Sequence, residues 1–528
     1  MKKILTLTAA ALIAMSSNAK DYTNQLSVSL GGMPIGTQET TVSVTEQENG
    51  KYTLSLNNFK LEALGGIGNI VLTDVEGIAN GDNTILSADQ IITIADGDDP
   101  SVGFWMGSLL GEVPVSLNAS ISSDDNLYAV IKINGFGGVD VVFGDGGYQI
   151  KNSGFEEFHT AEYVDGSTTY SSDEPNAWHS FNSGVATGPW AFFTKIALYN
   201  GSTSISEETR PGSTGAKSVL IQSSIVLGFQ AANGTMTTGR MQAGDFEPAN
   251  PANCAFLDFA NEELDGNGDP FYTVLNGRPD SLAVWVKFKQ GDLAEANADY
   301  KYATISAILT NGGYYQDPGD SIAANVVAKA SNNKIESNDF AWQRIVIPFD
   351  YETYAANNAE AKALLVTLST NAEPGVGSTN ADNLDQLFVD DIALIYNSNL
   401  TSLNIKGTDI ALEAGKTEYE LSASGELSLD DITAEADGQG AIITTSIEQT
   451  EDGALVTVKV ISNDLQNAST YTVLVKGVST GIEKVQQTTA NGVKAVYTLD
   501  GRRVNSMDAK GIYVVRKTDG STVKVIKK

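Results

Sequence analysis

Few side chains in this chain are suited to chemistry, and the rarest are the informative ones. Among 528 residues there are two histidines and one cysteine. His159 and His179 lie twenty residues apart with no H-x-x-x-H or C-x-x-C partner, so the spacing predicts no zinc site and both read as polar loop residues. Cys254 has no nucleophile context and reads as a small buried residue. Asp265-Gly266-Asn267-Gly268-Asp269 has the D-x-N-x-D spacing of a calcium loop, but Pro270 and Asn276 stand where an EF-hand needs glycine and glutamate, so a turn is expected. A glycosidase needs two carboxylates facing each other across a cleft. The adjacent pairs Glu156-Glu157 and Glu262-Glu263 are the candidates, yet such pairs in an acidic chain are usually solvated surface, and no catalytic residue is assigned. Gly65-Gly66-Ile67-Gly68 opens no helix in a βαβ unit, and neither a P-loop nor H-E-x-x-H is present, which excludes the usual nucleotide and metalloprotease signatures.

Aromatic side chains offer a different chemistry. Sugars stack their C–H faces on aromatic rings and hydrogen-bond to amides, carboxylates and guanidinium groups, so aromatics beside amides are the pattern to seek. Trp178, Trp190, Tyr314, Tyr315 and Gln316 supply it, although the core is the commoner place for such rings in a sandwich. Tyr314-Tyr315 follows Asn311-Gly312-Gly313, a loop context, whereas Trp285 and Trp342 sit in alternating strands and are expected in a core.

The elements that must hold these residues are strands. Val42 and Val44 alternate with polar neighbours, Asn49-Gly50 gives a turn, and Tyr52, Leu54 and Leu56 form the return strand of a hairpin. Similar alternation recurs at 70–75, 91–94, 113–117 and 127–133, and the expected fold class is all-β. The glycine runs at 135–138 and 144–147 place a first domain at 21–136 and a linker at 137–147. Residues 148–397 then read as a large β-sandwich holding four of the five tryptophans, both histidines and the cysteine. Its longest helix candidate is the Ala- and Glu-rich stretch 351–365. Residues 400–478 read as a small immunoglobulin-like spacer sandwich. Residues 481–528 read as a last β module, with Val493, Ala495 and Tyr497 alternating before a turn at Asp500-Gly501.

Charge and the first residues bear on location. Lys2 and Lys3 precede an apolar run from Ile4 to Met15 that ends in Ser17-Asn18-Ala19, a secretory signal peptide cleaved after Ala19. No cysteine follows Ala19, so the lipoprotein route is not expected, and no later stretch approaches the roughly 20 apolar residues of a spanning helix. Without the two leader lysines, 31 basic residues face 65 acidic ones, a net charge of −34, which disfavours nucleic acid and anionic lipid as partners. Residues 481–528 differ in composition, with ten Lys/Arg against four Asp/Glu.

Three segments carry family resemblances. Residues 22–134 resemble the calycin-like β-barrel domain through Tyr22-Thr23-Asn24-Gln25-Leu26, the 39–56 hairpin, Gly68-Asn69-Ile70-Val71-Leu72 and Gly111-Glu112-Val113-Pro114-Val115. Residues 148–397 resemble the "putative carbohydrate metabolism domain", a jelly-roll family. The resemblance rests on Arg278-Pro279-Asp280-Ser281-Leu282, on Trp342-Gln343-Arg344-Ile345-Val346-Ile347-Pro348-Phe349, and on the strand from Leu387 through Asp390-Asp391 to Tyr396. It implies kinship with carbohydrate-binding modules. Asn152-Ser153-Gly154-Phe155-Glu156 and Val389-Asp390-Asp391 are similar to the first- and last-strand motifs of calcium-binding carbohydrate modules, which implies a structural calcium held by Glu156, Asp390 and Asp391. Residues 481–528 resemble the C-terminal sorting domain of the type IX secretion system through 497–504 and 511–515.

Together these readings give an exported protein of a Gram-negative bacterium, at the cell surface or outside the cell with the periplasm as the other location. Its partners would be a glycan, bound by the jelly roll, and the secretion machinery. The alternatives are a glycoside hydrolase with a carboxylate pair in the jelly roll, and a structural adhesin with a protein partner.

Overall fold

The computed structural model describes residues 19–47, 50–61, 65–134, 137–257, 259–319, 323–480, 486–489, 493–498, 503–504, 511–517 and 522–527. The leader (1–18), Asn49, Gly135-Phe136 and Asp500-Gly501 lie outside the described residues. The chain divides into two compact units, 1–145 with 492–528, and 146–491. It is nearly all β, as the sequence indicates, and no described helix is long and apolar enough to cross a membrane.

In the first unit, β1 (Ala19–Leu30), β2 (Met33–Glu46), β3 (Lys51–Leu61), β4 (Gly65–Asn80), β5 (Asn83–Thr93), β6 (Glu112–Ile121), β7 (Leu127–Ile133) and β8 (Val139–Phe143) form a closed antiparallel barrel. Alternation drives it: Val42 and Val44 on β2 and Leu54 and Leu56 on β3 are buried, and Val44 pairs with Leu54 across the expected hairpin. With Leu26, Leu72, Leu117 and Phe143 they fill one apolar core. The stretch read as a linker is corrected here. Val139–Phe143 pairs with both β1 and β7 and closes the barrel, with Leu26 opposite Phe143. Gly138 (φ 83°) and Gly144 (φ 77°) mark the two turns that bracket this strand rather than a flexible tether. The 492–528 part of this unit forms a four-stranded sheet of Val493–Thr498, Arg503–Val504, Gly511–Lys517 and Thr522–Lys527.

In the second unit two sheets share a core. One orders Thr203–Ser206, Ser218–Gln222, Gln386–Ile395, Ser281–Lys289 and Gln343–Pro348; the other orders Thr235–Thr237, Ala363–Ser369, Ala303–Thr310 and Val326–Ile335, with Thr273–Val274 beside Ala363–Ser369. Val219, Leu282, Val284, Val286 and Val389 from the first meet Ile305, Ala307, Leu364, Val366 and Leu368 from the second. The helix expected at 351–365 is not formed. Ala355–Asn357 makes a single 3₁₀ turn, and Ala363–Ser369 is a central strand whose first four residues are fully buried. A strand covered on both faces reads as an unbroken apolar run, which periodicity does not separate from a buried helix.

A third, four-stranded sheet orders Val185–Ala186, Arg240–Ala243, Cys254–Leu257 and Tyr315–Asp317. Beyond it lies the smaller sandwich from Leu400 to Thr480, with its own core of Leu403, Ile405, Ile443, Val456, Val458 and Val473. Gln486–Thr489, assigned from sequence to the tail, pairs with 442–445 of this sandwich, so the boundary falls later than expected.

Candidate functional site

The four-stranded sheet presents two chemically different faces. Its register sets Met241, Ala255, Leu257 and Tyr315 on one face, in an apolar cluster with Ile308 and Leu365. Arg240, Gln242, Phe256 and Gln316 therefore lie on the other face. Just before Tyr315–Asp317, Tyr314 is 50% exposed, and its ring lies 5.9 Å from that of Phe256 at 32°. The Tyr314 hydroxyl donates to Gln316 Oε1 at 3.1 Å, and Gln316 Nε2 donates to the Pro251 carbonyl at 3.0 Å. Tyr314 and Gln316 thus come together. Tyr315 is corrected: the pleat turns it into the core, 5% exposed.

A second aromatic group lies at the end of the strand Arg240–Ala243. Trp190 precedes the helical turn Ala191–Thr194, which is tied down by the Thr194 hydroxyl donating to the Ala243 carbonyl at 2.8 Å. Trp190, Phe192, Phe193 and Phe246 are all exposed, and Trp190 meets the edge of Phe246 at 5.6 Å and tilts against Phe193 at 6.4 Å. Sequence reasoning named Trp190 and missed the three phenylalanines. The run Gly188-Pro189-Trp190-Ala191-Phe192-Phe193, large rings directly after a breaker pair, was the available signal.

Trp178, weighed between core and sugar platform, is fully buried against Phe155 at 5.3 Å. Ala177 at φ 66° bends the chain and Trp178 enters the core, its indole donating to the Lys151 carbonyl. Trp285 and Trp342, expected in the core, are only half-buried, and Arg210 lies over the Trp285 ring at 5.5 Å.

His159 is a strand residue and His179, outside any named strand, is fully buried, which is the largest departure from the sequence reading. His159 lies on Phe158–Asp165, directly across a two-stranded hairpin from Glu174 on Thr168–Pro175, so the pair shares one face. His179 follows the Trp178 anchor, exchanges two backbone hydrogen bonds with Thr237, and packs on Phe271 at 4.6 Å. Asp265 opens the turn that the sequence reading expected, its Oδ1 accepting the amides of Asn267 and Asp269. Its Oδ2 lies 3.4 Å from His159 Nε2 and 3.3 Å from His179 Nε2, and Glu174 Oε2 lies 3.8 Å from His159 Nε2. Glu174, His179 and the Asp265 carboxyl are fully buried. Burial works against ionising Asp265, but the His179 imidazole, the Asp269 amide and the charges of both imidazoles outweigh it and hold its carboxyl below the usual range. This cluster is continuous with the sheet face, because Arg240 stacks on Phe271 at 4.3 Å while pairing with Glu263.

The two segments that carry the residues named for calcium lie side by side, since the Ile392 amide bonds to the Ser153 carbonyl. Their oxygens are already used. Glu156 accepts the amides of Ala216 and Lys217, Asp391 pairs with the Arg210 guanidinium, and Asp390 Oδ2 accepts the Arg210 amide, leaving Asp390 Oδ1 as the one buried oxygen without a partner. A calcium ion takes six to eight oxygens; with a guanidinium in their midst, these three residues do not fit one. Glu262 is exposed, and Glu263 is taken by Arg240.

Cys254 is buried, as expected. Burial first, and the nearby Asp317 second, push its thiol up to about 11. The native protein should resist alkylation at pH 8, its rate rising roughly tenfold per pH unit until pH approaches that value, and should react at once in denaturant. Mass spectrometry after iodoacetamide checks this; fast native labelling at pH 8 would refute it.

Residues 19–144 match the calycin-like beta-barrel domain family, a span that takes in the whole closed barrel, β8 included. A search of the curated proteins finds no match to the sequence. Among solved structures, a Bacteroides thetaiotaomicron protein described as a "putative glycoside hydrolase" aligns over 72% of this chain and 98% of its own, at 15% identity and a TM-score of 0.29. A Bacteroides fragilis protein described as a "putative outer membrane protein" aligns over 66% and 96%, at 10% identity and a TM-score of 0.17. At those values neither fold nor activity transfers to this chain.

Proposed function

We propose that this is an exported, cell-surface or extracellular glycan-binding protein, and that the glycan lies along the polar face of the four-stranded sheet. The observation that carries this reading is the Tyr314–Phe256 ring pair, set beside Gln316, Gln242 and Arg240 on neighbouring strands. Rings for the C–H faces of a sugar thus stand next to amide and guanidinium groups for its hydroxyls. The Trp190 group extends the aromatic surface along the same sheet. Export is supported by the basic-then-apolar leader ending at Ala19 and by the resemblance of residues 481–528 to a sorting domain. The resemblance of residues 148–397 to the "putative carbohydrate metabolism domain" agrees with a glycan ligand.

A glycan array probed with the chain lacking residues 1–19 tests the reading. Tyr314→Ala is expected to weaken the best ligand by about 2 kcal/mol, roughly 30-fold, with an unchanged melting temperature, and Trp190→Ala to weaken longer oligosaccharides more than short ones. Binding to no glycan, or binding unaffected by both substitutions, would overturn it.

A further inference from the structure

Five side-chain atoms in one buried place have no protein hydrogen-bond partner: His159 Nε2, Glu174 Oε2, Asp265 Oδ2, and both ring nitrogens of His179. Buried polar atoms are nearly always paired, so such a concentration calls for a physical cause. The 3.3 and 3.4 Å approaches of the two imidazoles to Asp265 Oδ2 are short enough for hydrogen bonds but are not aimed as such. Three of the four side chains are held by their other polar atom. The second oxygen of Glu174 accepts from Ser180 and Ser183, the second oxygen of Asp265 accepts two main-chain amides, and His159 Nδ1 lies 3.2 Å from Asn176 Oδ1. With Nδ1 donating there, a neutral ring carries its lone pair on Nε2. A lone pair facing a carboxylate oxygen is repulsive unless a cation lies between them. Two carboxylates buried in one place are costly unless a positive charge lies among them.

We infer that His159, Glu174, His179 and Asp265 form a binding site for one divalent first-row transition-metal ion of the zinc class. Bonds of about 2.0–2.2 Å in tetrahedral geometry place neighbouring donors about 3.3–3.6 Å apart; Asp265 Oδ2 lies 3.4 and 3.3 Å from the two imidazoles, and Glu174 Oε2 lies 3.8 Å from His159 Nε2. Two nitrogens and two carboxylate oxygens, three of the four steadied from behind, suit such an ion better than calcium, which prefers oxygen alone. Among the described residues no three His, Cys, Asp or Glu side chains already close around a common point. Closing the site requires the His179 ring, which packs on Phe271 at 4.6 Å, to turn toward the other donors. Four protein donors leave no open position, so the ion ties the hairpin, the Trp178–Ser180 segment and the 264–270 turn together.

The test uses the chain lacking residues 1–19, dialysed against a chelator and then into chelator-free buffer. Cobalt(II) is expected to bind at one equivalent with the intense visible absorption of tetrahedral coordination, zinc to displace it, and zinc to raise the melting temperature. The near-isosteric variants His179→Gln and Asp265→Asn should each lose affinity by more than roughly 100-fold, and Asn176→Ala, which removes the contact behind His159, by roughly 10-fold. If the variants fail to fold, the wild-type titration decides alone. Absence of cobalt and zinc uptake by wild type, or uptake equal in folded His179→Gln and Asp265→Asn, would overturn the assignment and leave protons as the cations that hold the cluster.

Discussion

Trp178→Ala is expected to destabilise the 146–491 unit by about 3–5 kcal/mol, the usual cost of emptying a large aromatic site in a packed core. The indole is fully buried, tilted against Phe155, and its N–H is satisfied by the Lys151 carbonyl, so truncation leaves both a cavity and an orphaned carbonyl. The damage should not stay local. His179 is the next residue and Glu174 lies four residues earlier, so the anchor that places the histidine beside Asp265 is lost with the ring. Urea unfolding followed by circular dichroism measures the effect as a lower midpoint at unchanged slope. A variant that unfolds like wild type but no longer binds glycan would instead return Trp178 to the platform the sequence suggested.

What could be read from the sequence divides along a physical line. Alternation along a strand is local, so the β2–β3 hairpin, several further barrel strands and the all-β class were legible, whereas the barrel rested on a resemblance and its eighth strand was read as a linker. Which face of a strand becomes the surface is not local: Tyr314 and Tyr315 are adjacent, and only the pairing of Tyr315–Asp317 with Cys254–Leu257 decides that the first is exposed and the second buried. The histidines show the same limit more sharply. Twenty residues of separation carry no metal-ligand spacing, and their approach depends on a cross-strand pair, an inward-turning tryptophan and a turn more than eighty residues further on. The D-x-N-x-D segment was judged as a whole loop and found wanting as an EF-hand; its one reactive feature, the second oxygen of Asp265, is visible only in three dimensions. Arg210 was silent in sequence yet takes two of the carboxylates that the calcium reading needed.

Asp280→Ala is expected to split the unfolding of the 146–491 unit into two transitions, because this carboxylate joins the large sandwich to the small one. Its Oδ2 accepts the Asn397 amide at 2.6 Å and its Oδ1 accepts the Gln439 amide at 2.8 Å. Its neighbours are held in the same joint: the Arg278 amide donates to Asn463 Oδ1, the Arg278 guanidinium stacks on Tyr351 at 4.5 Å, and the Tyr351 hydroxyl donates to the Pro279 carbonyl. The Arg278-Pro279-Asp280 stretch that carried a family resemblance is thus an interdomain clamp. Alanine leaves two amides without acceptors, at about 1–3 kcal/mol each, so the sandwiches should lose about 2–4 kcal/mol of coupling. Asn at this position keeps one acceptor oxygen and should lose less. Burial foremost, and Asp437 and Asp464 after it, outweigh the two amide bonds and raise the Asp280 pKa. A raised carboxyl pKa favours the folded state below the unfolded value, near 3.9, and that contribution is lost as pH rises through the folded value. The advantage of wild type over Asp280→Asn should therefore shrink from acid toward neutral pH. Differential scanning calorimetry of the three proteins across that range tests both statements, and a single unshifted transition in Asp280→Ala would remove the clamp from the account.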